Sequence, residues 1–316
     1  PHLVLHQRDQ RRDHEPRAVS QQRGDLVAQR LAAAGGHEHH GVAAGQHGQE
    51  VGAWRAPIGD PFVRVTDPDL TLAVDDPDPA YADPQVFAWD VAATGPGFVA
   101  VGGSRMQAGV VAAAVWTSVD GTDWVRYGNE TGYQPNMLRA NFAGTTWSVM
   151  DTVLDSNGTT VVLGRSGTPV NPNLTVWQSS DGHIWEHGPI GVRDLGQRAH
   201  RAFAMDGKII VVGGDGAADG TGDGAVWVAT GDPSAPAMGT WREVPRFDTS
   251  TEGWINGAVV SDGRIVGAGH GPFSSLWVSA NGVTWSEYLR GSAPQATLTD
   301  IVEISGTYYV CGRKSE

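Results

Sequence analysis

A chain of 316 residues is long enough to bury a substantial core. Its formal net charge of −13, with Lys208 and Lys314 as the only lysines, leaves no cluster of cations to grip a polyanion, so nucleic acid is excluded as a partner. The single Cys311 excludes an internal disulfide framework and a cysteine-based zinc site. Glycine, at 43 residues, is about twice its usual share. Together with 12 tryptophans it points to short strands joined by many turns. No apolar run approaches the roughly 18 residues of a membrane span, and residues 1–30 lack the apolar centre of a signal peptide.

Residues 1–57 differ from the rest. They hold seven of the 11 histidines and seven arginines but no lysine, and their apolar residues keep no sustained period of 2 or 3.6. Such a segment buries too little apolar surface to offset its ordering entropy, so disorder or marginal helix near Leu26–Leu31 is expected. A gene start read too early in GC-rich DNA would give the same mixture, which leaves non-native coding as a second reading. The cluster His37-Glu38-His39-His40 reads as a histidine-rich tail, because nothing nearby supplies the packed groups that hold metal ligands in place.

Residues 58–85 are a Pro/Asp-rich lead-in with two strand-like runs, Phe62–Val65 and Leu70–Val74. Its aspartates lack the alternating Asp-x-Asp-x-Asp-Gly loop that wraps calcium. A solvated linker is the expectation.

From residue 86 to 316 the chain repeats itself. Val115–Trp124, Val176–Trp185 and Leu276–Trp285 each place two tryptophans eight positions apart around Asp-Gly or Asn-Gly. A fourth copy, Trp227 to Trp241, is stretched by the insert Gly231–Pro236. Before each pair stand two further strand-like runs joined by a turn, as in Phe87–Ala93 and Phe98–Gly103. The second run of each unit is almost continuously apolar, as a strand covered on both faces would be. Four-strand units are therefore expected at about 86–127, 148–187, 199–246 and 255–290, with a partial fifth at 299–312. Repeated four-stranded antiparallel sheets of this size make an all-β chain of the β-propeller class. The tryptophans read as packing between neighbouring sheets. If Phe62–Val65 and Leu70–Val74 supplied the outer strands of the last unit, the ring would close at five blades; otherwise the chain is a fragment of a six- or seven-bladed protein.

Ser118-x-Asp120-Gly121-x-x-Trp124, with Ser179, Asp181, Gly182, Trp185 and Ser279, Asn281, Gly282, Trp285 in the later copies, resembles the Asp-box, or BNR repeat, of sialidase-like propellers. These copies are one residue shorter between Asp and Gly than the family pattern Ser/Thr-x-Asp-x-Gly-x-Thr-Trp, and only Thr284-Trp285 keeps its ending. The resemblance covers residues 86–312. It implies that the motif is a folding device between third and fourth strands, on the rim away from the ligand face. It also implies a mostly secreted protein with a glycan or protein ligand.

The catalytic residues of a sialidase are not legible. The family's first arginine motif has only Phe62-Val63-Arg64-Val65 as a poor counterpart, and Arg139, Arg165, Arg193, Arg198, Arg201 and Arg264 sit in no family motif. Glu130, Glu252 and Glu303 stand out only as glutamates outside the repeated turns. Asp215, Asp219 and Asp223, spaced by four, could converge on calcium, or simply build a Gly/Asp loop between strands. A non-catalytic binding propeller is thus the first reading, and a diverged sialidase-like glycoside hydrolase the alternative. His183, His187, His200 and His270 stand singly and read as surface or packing residues.

Overall fold

In a computed structural model the described residues are 3–5, 40–47, 50–57, 63–65, 85–107, 110–128, 147–168, 171–190, 197–215, 223–230, 239–244, 254–270, 273–294 and 296–314. All regular structure among them is β-strand, and no helix is long and apolar enough to cross a membrane. The strands fall into two compact units.

The first unit holds β2 (His40–His47), β3 (Glu50–Pro57) and β4 (Val63–Val65) as one three-stranded sheet. Two four-stranded sheets follow. One is β5 (Gln85–Thr94), β6 (Gly97–Gln107), β7 (Val110–Ser118) and β8 (Val125–Gly128). The other is β9 (Trp147–Ser156), β10 (Thr159–Thr168), β11 (Asn171–Ser179) and β12 (Glu186–Pro189). Each is a simple antiparallel meander, neighbours in sequence being neighbours in the sheet.

The second unit repeats the plan with β13 (Arg198–Met205), β14 (Lys208–Asp215), β15 (Asp223–Thr230) and β16 (Thr240–Glu243). It does so again with β17 (Trp254–Ser261), β18 (Arg264–His270), β19 (Phe273–Ser279) and β20 (Trp285–Pro294). A last pair, β21 (Ala296–Ile304) and β22 (Thr307–Lys314), is joined by β1 (Leu3–Leu5), which runs parallel to β22. Four-stranded antiparallel blades, all-β and of the β-propeller class, are the fold expected from the repeats.

Two N-terminal features bear on the expectations for this region. Among the described residues of 1–57, residues 3–5, 40–47 and 50–57 are strands. Val63–Val65 pairs with Arg55, Trp54 and Ala53 of β3, not with the C-terminal strands, so of the two alternatives the closing role is not the one Val63–Val65 takes. A partner a few residues away in the chain closes a far smaller loop than one at the other terminus. Leu70–Val74, and the cluster from His37 to His39, lie outside the described residues.

Second strands are buried on both faces, as their apolar runs require. Consecutive residues Val99, Ala100 and Val101 of β6, and Ile209 to Val212 of β14, are at most 1% exposed. One cover of each is the next sheet of the same unit. Trp177 and Trp185 pack with Val99, Val101 and Val115 of the preceding sheet. Trp285 packs in the same way with Ile210, Val212 and Val226.

The turns joining first and second strands are tight hairpins. Asn157-Gly158, Asp206-Gly207, Asp262-Gly263 and Ser305-Gly306 have both residues at positive φ, the conformation that a two-residue hairpin loop needs.

Candidate functional site

The repeated turn is the first candidate, because it gathers Ser, Asp and Trp at fixed spacing. In the first copy the Ser118 hydroxyl accepts from Gly121 N at 2.8 Å, and Asp120 Oδ1 accepts from Thr122 N at 2.7 Å and Asp123 N at 3.1 Å. Trp124 Nε1 donates back to the Gly121 carbonyl at 3.2 Å. The second copy repeats each bond: Gly182 N to Ser179, His183 N and Ile184 N to Asp181 Oδ1, and Trp185 Nε1 to the Gly182 carbonyl. In the third, Asn281 Oδ1 accepts from Val283 N and Thr284 N, both at 2.8 Å, Ser279 takes the Gly282 amide, and Trp285 Nε1 returns to the Gly282 carbonyl.

The acceptor side chain thus replaces backbone carbonyls that a short turn cannot bring round. Only the glycine of each copy has positive φ, at 71 to 77°, so these turns differ from the first-strand hairpins despite the same Asx-Gly dipeptide. The Ile184 amide above all, with the His183 amide and the Ser179 hydroxyl, holds the Asp181 carboxyl below its ordinary value, although burial opposes them. Asn281 does the same work with no charge at all. A neutral amide that substitutes for the carboxylate marks a turn acceptor, not an acid or base.

The other expected residues are scattered. Asp215 and Asp223 are register partners where β14 meets β15, and Asp219 lies outside the described residues. Among the described residues no three His, Cys, Asp or Glu side chains group as metal ligands would. Glu303 accepts from Gly306 N in the last hairpin. Tyr127 Oη meets His183 Nδ1 at 2.5 Å with the rings edge to face, so His183 is a packing residue between two sheets. Glu130, Glu252, Arg139 and Arg193 lie outside the described residues.

A second constellation has no motif in the sequence to announce it. The first strand of every sheet from β5 onward carries one extra residue relative to its partner strand: Trp89, Asp151, His200, Asn256 and Thr299. Such β-bulges bend a strand and re-aim its side chains. Opposite the residue before each bulge stands a glycine: Gly102, Gly164, Gly213, Gly269 and Gly312. At Gly164, Gly213, Gly269 and Gly312 a side chain has no room. A Cβ on Gly213 would stand 1.9 Å from the Arg198 carbonyl oxygen, and one on Gly269 would stand 1.8 Å from that of Trp254. The recurring glycine that closes the second strand is the one trace this bulge leaves in the sequence.

The residues at and just after the bulges carry several polar side-chain contacts. In the first unit Asp151 takes the Arg165 guanidinium on both oxygens, at 2.8 and 2.9 Å, with its side chain only 5% exposed. Asp90 Oδ2 accepts from Thr152 Oγ1 at 2.7 Å and Val153 N at 3.2 Å, tying β5 to β9. In the second unit Asn256 Nδ2 donates to the Leu298 carbonyl at 2.8 Å, and Arg201 Nη2 lies 3.7 Å from Asp300 Oδ2. The His200 ring tilts against Trp254 at 5.4 Å.

No protein-family profile and no curated protein matches the chain. Solved structures do. A GH32 beta-fructofuranosidase of Bombyx mori is similar at 12% identity over 96% of this chain and 70% of its own, with a TM-score of 0.39. A thermostable family-43 glycoside hydrolase follows at 10% identity, 76% and 96% coverage and a TM-score of 0.43. An exo-beta-1,3-galactanase from Phanerochaete chrysosporium stands at 12%, 72% and 56%, with a TM-score of 0.45. Likeness this distant carries neither substrate nor mechanism to this chain.

Proposed function

We propose that this chain is a non-catalytic propeller of the Asp-box type, a binding module whose ligand is a glycan. The observation that carries the reading is the hydrogen bonding of the repeated turns. Their Ser and Asp or Asn oxygens accept backbone amides of the turn and their Trp N–H groups return to it, with Asn281 serving as well as Asp120 and Asp181. Residues that first look like chemistry are occupied in building the turn. The glycan as ligand, and an extracellular site of action, rest on the resemblance of these turns to the Asp-box.

The test is an array of neutral, sialylated and sulfated glycans read alongside turnover of fluorogenic glycosides. Glycan binding without turnover is the expected result. Turnover abolished by one carboxylate substitution would replace this reading with a diverged glycoside hydrolase. An empty array would leave a protein ligand as the better reading.

A further inference from the structure

The dipeptide Asn-Gly occurs at Asn157-Gly158, Asn256-Gly257 and Asn281-Gly282. Such a pair is prone to lose the side-chain amide, because a glycine nitrogen with no Cβ beside it can reach the asparagine Cγ. Sequence does not rank the three. Their surroundings do.

At Asn281 the carboxamide oxygen accepts from Val283 N and Thr284 N, both at 2.8 Å, and the Gly282 nitrogen donates to the Ser279 hydroxyl at 2.8 Å. Gly282 is also walled in, since a Cβ there would stand 2.3 Å from Ile210 Cδ1. At Asn256 the amide nitrogen, the group that must leave, donates to the Leu298 carbonyl at 2.8 Å. Gly257 lies against β21, where a Cβ would stand 2.6 Å from the Asp300 Cα. Ring closure at either asparagine would have to break these bonds and this packing.

Asn157 differs. It stands exposed at the tip of the hairpin between β9 and β10, and its carboxamide makes no hydrogen bond among the described residues. A Cβ on Gly158 would meet nothing within 4 Å, so the space around the attacking nitrogen is open. One restraint remains. Gly158 N donates to Asp155 Oδ2 at 3.1 Å, while Asp155 Oδ1 accepts from Gly95 N of the neighbouring hairpin at 3.0 Å.

We propose that Asn157 is a site of spontaneous deamidation, with Asp155 as the brake on its rate. The Gly158 nitrogen gives up its proton and attacks Asn157 Cγ. The N–Cγ bond forms, the Cγ–Nδ2 bond breaks, and the proton leaves with the amide as ammonia. Water then opens the cyclic imide at either carbonyl, giving aspartate or isoaspartate at position 157. The Asp155 carboxylate slows the first step in two ways: it holds the proton on the nitrogen, and its charge opposes the anion that forms there. Either product sets a new negative charge near Asp155. Isoaspartate also lengthens the backbone of a turn that needs positive φ at both residues.

Peptide mapping by mass spectrometry, with isoaspartate-specific methylation, tests this on the whole chain held at mildly alkaline pH. In the folded protein Asn157 should convert at least about tenfold faster than Asn256 and Asn281, and in urea the three rates should converge. Asp155→Ala should speed conversion at 157 about threefold and leave the other two sites unchanged. Asp155→Asn, which keeps an acceptor but loses the charge, should fall between the parent and the alanine variant. Comparable rates at the three sites of the folded chain, or a faster site at 256 or 281, overturn the proposal. An unchanged or slower rate in folded Asp155→Ala overturns the brake. Should that variant fail to fold, Asp155→Asn decides, and a rate no faster than the parent's overturns the brake in the same way.

Discussion

Asp181 and Asn281 occupy equivalent places, and the comparison separates charge from hydrogen bonding. Each accepts two turn amides through one oxygen. Asp181→Asn should therefore leave the denaturant midpoint almost unchanged, whereas Asp181→Ala should cost about 1 kcal/mol, as the loss of a capping acceptor does. The tryptophans matter more. Truncating a buried aromatic costs about 3–5 kcal/mol, so packing of Trp124 or Trp185 outweighs the bonds above it. His187 carries a pH dependence: burial lowers its pKa below the ordinary 6.5. The unfolded chain takes up this proton first, so stability is intact above pH 6.5 and falls as pH drops toward the folded value. A urea midpoint lower at pH 5.5 than at pH 7.5, with a shallower dependence in His187→Gln, is the expected outcome. Equal slopes in the two proteins would show that His187 is not responsible.

The element that recurs most faithfully is the pairing of a bulged first strand with a glycine in the second. Packing constrains it more tightly than the hairpin glycines are constrained. A Cβ on Gly213 collides with backbone at 1.9 Å, while one on Gly158 meets nothing within 4 Å and suffers only from its φ of +82°. Gly213→Ala should thus cost about 2–4 kcal/mol, the scale of a backbone shift in a packed core. Gly158→Ala should cost about 1–2 kcal/mol, the strain of a left-handed residue. Thermal unfolding of the two variants checks the order, and a milder Gly213→Ala would mean that the bulge relaxes around it. This element explains why the polar residues of the first strands meet. The bulge interrupts strict alternation where Asp151 finds Arg165, and the positions after it carry Asp90 to Thr152 and Arg201 to Asp300.

For the whole molecule, a net charge of −13 bears on the choice of ligand. Self-repelling carboxylates disfavour sulfated glycans at long range. The sulfated arms of the array should stay empty where neutral ones fill, and strong sulfated binding would show that local contacts override the net charge. Much of the architecture is legible in the sequence, because hairpins and apolar runs are written in consecutive residues. Val99–Val101 and Ile209–Val212 declare strands covered on both faces, and Asp206-Gly207 declares its own turn. The strands His40–His47 and Glu50–Pro57 escape such a reading because Gly, Ala, Gln and His in them follow no alternation.

The division between sequence and tertiary structure follows from range. The bonds of the repeated turn join residues two or three positions apart, so the sequence by itself determined the turn, its repeats and hence the blade. The Asp90 and Thr152 pair spans 62 positions, and Arg201 meets Asp300 only because β13, β17 and β21 come together around Gly257. A bulge shifts register by one residue without changing composition, so which polar side chains face each other was decided by the tertiary structure alone.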